Sequence, residues 1–330
     1  MKKASSFESF ANQLLASQSA KAKSHDSDRK LLYRQKDGII RHFGDFDVTK
    51  INTRMVREYL NQLDQTRGTP LADSTRAKHV IVIRKVLALA VEDGLLKAIP
   101  VMPKQKTTDT PRHTFTDDEF KKFLKAMAGC VDNQDQVRGV KITKHHSSMF
   151  RFLYYSFLRP TKGELFGLKH KDVRIRQNPI HLEMTIHGGK TGKRVSVTMQ
   201  MGVQAYQSSG FTERALQNYT ASKGSVLEDT QYQNEFVWMP EYPNRTTAIN
   251  TARRIFNHIL ARAGLNDRQL SPYSIRHYSL QSRLRASNGQ VNIYTLAKNA
   301  GTSVDQLERF YLKNMTPSQG MIENLQVRGD

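Results

Sequence analysis

Three features of the chain predict an α+β fold that is mainly helical and divided into two domains. Apolar residues recur at helical spacing through the first hundred residues, and a proline-containing basic stretch at 101–113 interrupts them. Beyond it, two alternating runs divided by a Gly/Lys turn at 181–199 place a small antiparallel hairpin among further helices. At 330 residues the chain exceeds the usual size of one domain, so each part can bury its own core.

Taken in order, Phe7, Phe10, Leu14 and Leu15 share one helical face, as do Leu31, Leu32, Ile39, Ile40 and Phe43, and then Met55, Val56, Tyr59, Leu60 and Leu63. A fourth helix starts at Ser74, buries Val80, Ile83, Val86, Leu87 and Val91, and stops near Gly94 before Pro100. These four helices form a small bundle over residues 1–100. Arg76, Lys78, Arg84 and Lys85 lie on the outer face of the fourth, either as a solvated charged surface or as phosphate contacts. Residues 101–113 (VMPKQKTTDTPRH) hold two prolines, several basic residues and little apolar content, which reads as a linker.

A second domain, 114–330, opens with a strong helix start. Thr116 and Glu119 fit a capping box, and Phe115 and Phe120 occupy the positions of a hydrophobic staple. The run 147–157 reads as a buried helix. Helices return at 247–263, closed by Gly264, and from about Ser274 onward. Ser303 and Gln306 suggest another capping box, with Leu307, Phe310 and Tyr311 on one short helix.

Composition narrows the partner. Lys and Arg number 51 against 30 Asp and Glu, a net charge of +21. Both parts share the excess, with 20 basic and 12 acidic residues in 1–110 and 31 against 18 in the rest. A basic chain of this kind suits a polyanion: nucleic acid, an anionic membrane or the ribosome. The single cysteine, Cys130, excludes an internal disulfide and a Cys-rich zinc site, and fits a reducing cytoplasm. The sequence has no apolar run long enough for a membrane span and no secretory h-region after MKKASSFESF, so a soluble, cytoplasmic protein is expected. It also has no P-loop pattern and no paired-His metal helix, and the adjacent His145 and His146 point to different sides of a helix. No cofactor and no metal are expected.

The chemistry-bearing residues are spread over four segments: YYSFLRPTKGELFGLKHKDV (154–173), GGKTGKRVSV (188–197), YSIRHYSLQSRL (273–284) and LAKNAGTSVDQLERFYLKN (296–314). Opening a phosphodiester requires charge neutralisation on the non-bridging oxygens, a nucleophile and a proton for the leaving oxygen. Arginine suits the first task, because its planar fork binds phosphate bidentately and keeps its charge. Two arginines, a turn lysine and a late tyrosine in this order resemble the tyrosine recombinase (phage-type integrase) family, in the subgroup with YSxRH and AKNxGTS-like motifs.

The resemblance implies that Arg159 and Arg276 clamp the phosphate and that Tyr311, 35 residues after Arg276, is the nucleophile, with Tyr278 and Tyr294 as alternatives. It favours Lys190 over Lys193 as the proton donor to the departing 5′ oxygen. Three departures accompany it. Tyr273 stands where the family has its first histidine, leaving His277 either as a structural residue or as a partial substitute. Thr302 in AGTS stands where the family has histidine or tryptophan, and serves either as a phosphate donor or as a loop residue. Glu164 follows Arg159 by five residues where three is usual; the helix of the family is then expected over 165–173, and Lys162 becomes a minor competitor for phosphate.

The same resemblance implies an N-terminal helical core-binding (SAM-like) domain and a catalytic domain with a small antiparallel sheet, clamped around double-stranded DNA attachment sites. Strand exchange would proceed through a 3′-phosphotyrosyl bond in a homo-tetramer on DNA, without ATP or metal. The polar tail after Tyr311 would dock on a neighbouring protomer. Accessory DNA-bending or excision factors and a bacterial, nucleoid-associated location are further implications. The chain starts almost directly at the core-binding helices, so an additional N-terminal arm-binding domain is either absent or outside this sequence. Two alternatives keep the same fold: an architectural DNA-binding protein that lost the chemistry, and a type IB topoisomerase-like relaxing enzyme.

Overall fold

In a computed structural model of the chain, the described residues are 5–18, 23–104, 113–189, 192–209, 230–287 and 290–309, with 322, 323 and 326. The linker residues 105–112, Lys190, Phe310, Tyr311 and nearly all of the tail lie outside them. The chain divides into two compact units, residues 1–110 and 111–330.

The described elements of unit one are α1 (Phe7–Ser17), α2 (Lys23–Tyr33), α3 (Ile39–Phe43), a 3₁₀ turn (Val48–Lys50), α4 (Thr53–Arg67) and α5 (Asp73–Glu92), with a single antiparallel bridge between Ser6 and Asp47. Side chains cap two of these helices. Ser6 accepts from the Ser9 backbone N–H, and Asn52 accepts from that of Met55 at 3.1 Å, each satisfying a donor that the first turn leaves orphaned. The apolar faces meet in one core containing Phe7, Phe10, Leu32, Ile39, Phe43, Val56, Leu60, Ile83 and Leu87. Burial of each such side chain contributes about 1.5–3 kcal/mol.

The expected second helix is in fact two. Leu32 and Ile39 are seven residues apart, two full turns, so their phase survives an intervening break that periodicity does not register. The break sits at Arg34–Gly38, where the Gly38 N–H bonds the Arg34 carbonyl at 2.8 Å and a β-carbon at 38 would lie 2.5 Å from that oxygen. Val91, expected in the core, is only half-buried near the end of α5.

Unit two contains α6 (Asp117–Asp132), a two-residue hairpin of β1 (Gln136–Val137) and β2 (Val140–Lys141), and α7 (Lys144–Ser156). An antiparallel sheet ordered β3-β4-β5 follows, from β3 (Val173–Arg176), β4 (His181–Gly189) and β5 (Gly192–Val197). Its further helices are α8 (Met201–Gln207), α9 (Thr230–Asn234), α10 (Arg245–Arg262), α11 (Pro272–Ala286), α12 (Ile293–Ala300) and α13 (Val304–Leu307). The capping box at Thr116 and Glu119 closes in both directions, and the staple rings of Phe115 and Phe120 lie 5.5 Å apart. One core joins Phe123, Phe150, Phe152, Trp238 and Phe256 to the inward β4 residues Leu182, Met184 and Ile186. The pairing Met184↔Ser196 with Thr185↔Val195 fixes which hairpin residues face that core.

Two expectations are corrected here. Residues 165–173 form two single 3₁₀ turns, Leu165–Gly167 and His170–Asp172, rather than a helix. Gly167 explains part of this, since a β-carbon there would lie 2.3 Å from the Lys162 carbonyl oxygen. Lys193 belongs to strand β5 instead of the turn, because Gly192 already pairs with Gly189.

A smaller cluster of Phe157, Leu280, Leu284, Leu296, Ala297, Ala300 and Leu307 binds the end of α7 to α11, α12 and α13. It forms the floor on which the polar site is built.

Candidate active site

Helix α7 stops at Ser156 because Phe157 turns into the left-handed region, φ 56°. That turn buries the Phe157 ring in the small cluster and leads the chain through the buried Leu158 to Arg159. The Arg159 side chain is 13% exposed and pairs with Glu164, whose own side chain is 1% exposed. Glu164 also accepts from the Arg159 backbone N–H at 2.8 Å, so the five-residue spacing closes into a tight loop around the carboxylate. Arg159 donates further to the Gly301 carbonyl and to the Tyr273 hydroxyl oxygen.

Arg276 reaches the same place from α11, a helix started by Ser271 and by Pro272 in its first turn. It is 1% exposed and donates to the Phe157 carbonyl and, at 2.9 Å, to that of Ala300. The two arginines of the sequence reading thus converge on the C-terminal end of α12. The unsatisfied carbonyls there carry the negative end of the helix dipole, which makes cation clustering favourable.

A third guanidinium, absent from the sequence reading, joins them. Arg194 of β5 is 10% exposed and donates to both Glu164 oxygens, at 2.9 and 3.3 Å. It also reaches the Asn299 carbonyl at 3.4 Å. The signal for it was strand alternation: residues 194, 196 and 198 share a phase, Ser196 and Thr198 are buried, and so the arginine points inward. Burial alone would raise the Glu164 carboxyl, but hydrogen bonds from Arg194 and from the Arg159 backbone, with both guanidinium charges, hold it below the usual glutamate range.

The other expected residues fall as follows. Tyr273 is half-buried and touches Arg159, and its ring lies 5.4 Å from that of His277, which is buried beside it. Thr302 is half-buried just beyond α12, and its backbone N–H bonds the Ala297 carbonyl at 2.9 Å. Lys162 and Lys193 are exposed. Lys190 and Tyr311 lie outside the described residues, but Gly163 of the Arg159 loop abuts Gly188, two positions before Lys190. A β-carbon on Gly163 would fall 2.0 Å from the Gly188 oxygen.

The two alternative tyrosines are placed differently. Tyr278 donates to Asp117 at 3.0 Å, and burial together with that carboxylate raises its pKa, the opposite of nucleophile activation. Tyr294 is 66% exposed.

In unit one the four basic residues of α5 divide. Arg76 pairs with Asp64 and Lys85 with Asp28 at 2.7 Å, while Lys78 and Arg84 are exposed. Among the described residues, the ligand atoms of Cys130, Asp135 and His258 lie within 4.8 Å of one another. Asp135 there already accepts from His258 at 2.8 Å and from Arg262 at 3.2 Å. Burial and the adjacent carboxylate push the Cys130 thiol up to about 11, so the group is a charge network around a protonated thiol. No helix among the described residues is long and apolar enough to cross a membrane.

A family model described as the phage integrase family matches residues 113–305, and one described as a phage integrase SAM-like domain matches residues 7–107. Among solved structures, a lambda integrase dimer bound to a COC′ core site is similar with a TM-score of 0.60 at 15% identity, over 94% of this chain and 79% of that one. The XerH site-specific recombinase bound to palindromic difH substrate, a post-cleavage complex, gives 0.54 at 14% identity over 92% and 76%. A lambda integrase tetramer bound to a Holliday junction gives 0.52 at 15% identity over 94% and 78%. At these identities the likeness is one of fold. No curated protein matches the chain.

Proposed function

The chain belongs to the phage integrase family, and from that premise we propose that it is a site-specific DNA recombinase working through a 3′-phosphotyrosyl intermediate. The observation that carries this reading is the meeting of Arg159, Arg276 and Arg194 at the end of α12, one turn of chain before the segment leading to Tyr311. A cluster of buried guanidiniums is suited to a phosphate, and the forks of Arg159 and Arg276 can each exchange a carbonyl partner for a phosphate oxygen.

In this reading Arg159 and Arg276 hold the non-bridging oxygens of the scissile phosphate. Tyr273 adds a hydroxyl where relatives carry histidine, and Thr302 adds a second. The Tyr311 phenolate attacks phosphorus; a Tyr–O–P bond forms as the P–O5′ bond breaks, and Lys190 supplies the proton that O5′ takes up. The freed 5′ hydroxyl of a partner strand then reverses the step, so the bond energy is conserved and no ATP is consumed. Double-stranded DNA is the partner, a homo-tetramer the working assembly, and a mobile element in a bacterial cytoplasm the natural setting. Lys78 and Arg84 are the free phosphate-contact candidates of the SAM-like unit.

The test is a nicked half-site built on the sequence that the protein selects from a random duplex pool, incubated without magnesium. A covalent adduct that disappears in Tyr311→Phe and in Arg276→Ala supports the reading. Tight binding with no adduct supports an architectural protein, and plasmid relaxation at concentrations too low for assembly supports the topoisomerase-like alternative.

A further inference from the structure

Glu164 poses an electrostatic problem for a phosphate site. A carboxylate that is 1% exposed and paired with Arg159 alone would cancel the charge of one of the two clamping arginines. Arg194 removes the problem. It covers both carboxylate oxygens at 2.9 and 3.3 Å, so three guanidiniums and one carboxylate leave two net positive charges in the cluster. Without Arg194 the same cluster would hold one.

We propose that Arg194 is a positioning residue that acts through Glu164: it takes up the carboxylate charge and thereby leaves the charge of Arg159 available to an anion. Its placement allows little else. The Nε donates to the Asn299 carbonyl, and the fork is committed to Glu164 and to the Ala300 carbonyl at 3.5 Å. Gly301 keeps that space open, since a β-carbon there would lie 2.5 Å from the Arg194 Cζ. The consequence deepens the recombinase reading and rests on it. A phosphodiester carries one negative charge, and the pentacoordinate state formed by phenolate attack carries two. A cluster with two net positive charges therefore favours the transition state over bound substrate.

The experiment reads the charge of the pocket with inorganic orthophosphate, using the full chain and melting temperatures compared with chloride at matched ionic strength. Four proteins are compared: wild type, Glu164→Gln, Arg194→Met and the double variant. The expected order of phosphate stabilisation is Glu164→Gln above wild type, the double variant restored to near wild type, and Arg194→Met lowest. A scaffold role for the pair would instead lower all three variants, and that order overturns the proposal, as does a wild type with no phosphate response. Arg194→Lys, which keeps the charge without the fork, should retain most of the response; it replaces Arg194→Met if that variant does not melt cooperatively, and loss of the response in folded Arg194→Lys also overturns the proposal. On the nicked half-site, Arg194→Met should slow adduct formation on the order of a hundredfold. Absence of any Tyr311-dependent adduct in wild type defeats the recombinase reading, while the phosphate order still decides the role of Arg194.

Discussion

Gly301 shows how much the site asks of one residue. Its φ of 63° is the left-handed conformation that closes α12, and its missing β-carbon leaves room for the Arg194 guanidinium. Gly301→Ala should cost about 1–3 kcal/mol in backbone strain and displace Arg194, lowering the melting temperature and slowing adduct formation together. Two buried histidines give the molecule an acid-sensitive stability. Burial lowers His146 of unit two and His79 of unit one to about 4, from an ordinary value of 6.5. Because both folded-state values lie below the unfolded one, the unfolded chain binds these protons more readily, and stability falls as the pH drops from 6.5 toward 4. Denaturant titrations should show a slope of at most about 1.4 kcal/mol per pH unit for each histidine. Replacing both by glutamine should flatten it. At this scale motif context singles out Arg159, Arg276 and Tyr273, and the structure gathers them at one helix end. Arg194, gathered with them, has no such context: it stands beside Lys193 and reads as one more basic residue of a hairpin turn.

Between elements, the contact that orders the site is the edge of β5 against α12. The Asn299 side chain accepts from the Val197 N–H at 2.7 Å and donates to the Val197 carbonyl at 3.0 Å, as a paired strand would. The Ser196 hydroxyl donates to the Asn299 carbonyl at 3.0 Å. This latch covers a strand edge and fixes the β4–β5 hairpin to the helix that leads into Gly301 and Thr302. Asn299→Ala should destabilise the chain by about 1–3 kcal/mol and speed hydrogen exchange at the Val197 amide. Helices with strong caps were legible, as Thr116 and Glu119 illustrate. The break at 34–38 was not, because the apolar phase runs through it unchanged. Residues 165–173 were assigned to a helix by resemblance, whereas the chain there makes two separate 3₁₀ turns, with the Gly167 backbone packed against the Lys162 carbonyl where a side chain would not fit. Strand β3 escaped notice because four residues of VRIR carry too short an alternation to register.

For the whole molecule, the dominant property is a net charge of +21 distributed over both units. Only part of it is available to DNA, since residues such as Arg76, Lys85, Arg176 and Arg268 are engaged in internal ion pairs. Binding to duplex should still weaken steeply with salt, with log K against log salt falling at a slope of about −5 or steeper, as six or more neutralised phosphates require. Lys78→Ala with Arg84→Ala should reduce that slope by about 2 if both contact backbone. The two compact units meet within the proline-containing basic stretch that separates the apolar patterns, whereas the charge network inside each unit depends on partners far apart in sequence, 57 residues for Lys85 and Asp28 and 168 for Arg285 and Asp117.

In the proposed reaction a phosphate held by this arginine cluster is attacked by Tyr311. Tryptic digestion of the covalent protein–DNA adduct tests it most directly, because cleavage after Arg309 and Lys313 isolates the peptide Phe310–Tyr311–Leu312–Lys313. That peptide should carry a nucleotide mass, joined to the tyrosine through the 3′ phosphate. A link mapped to Tyr278, Tyr294 or any other residue would contradict it.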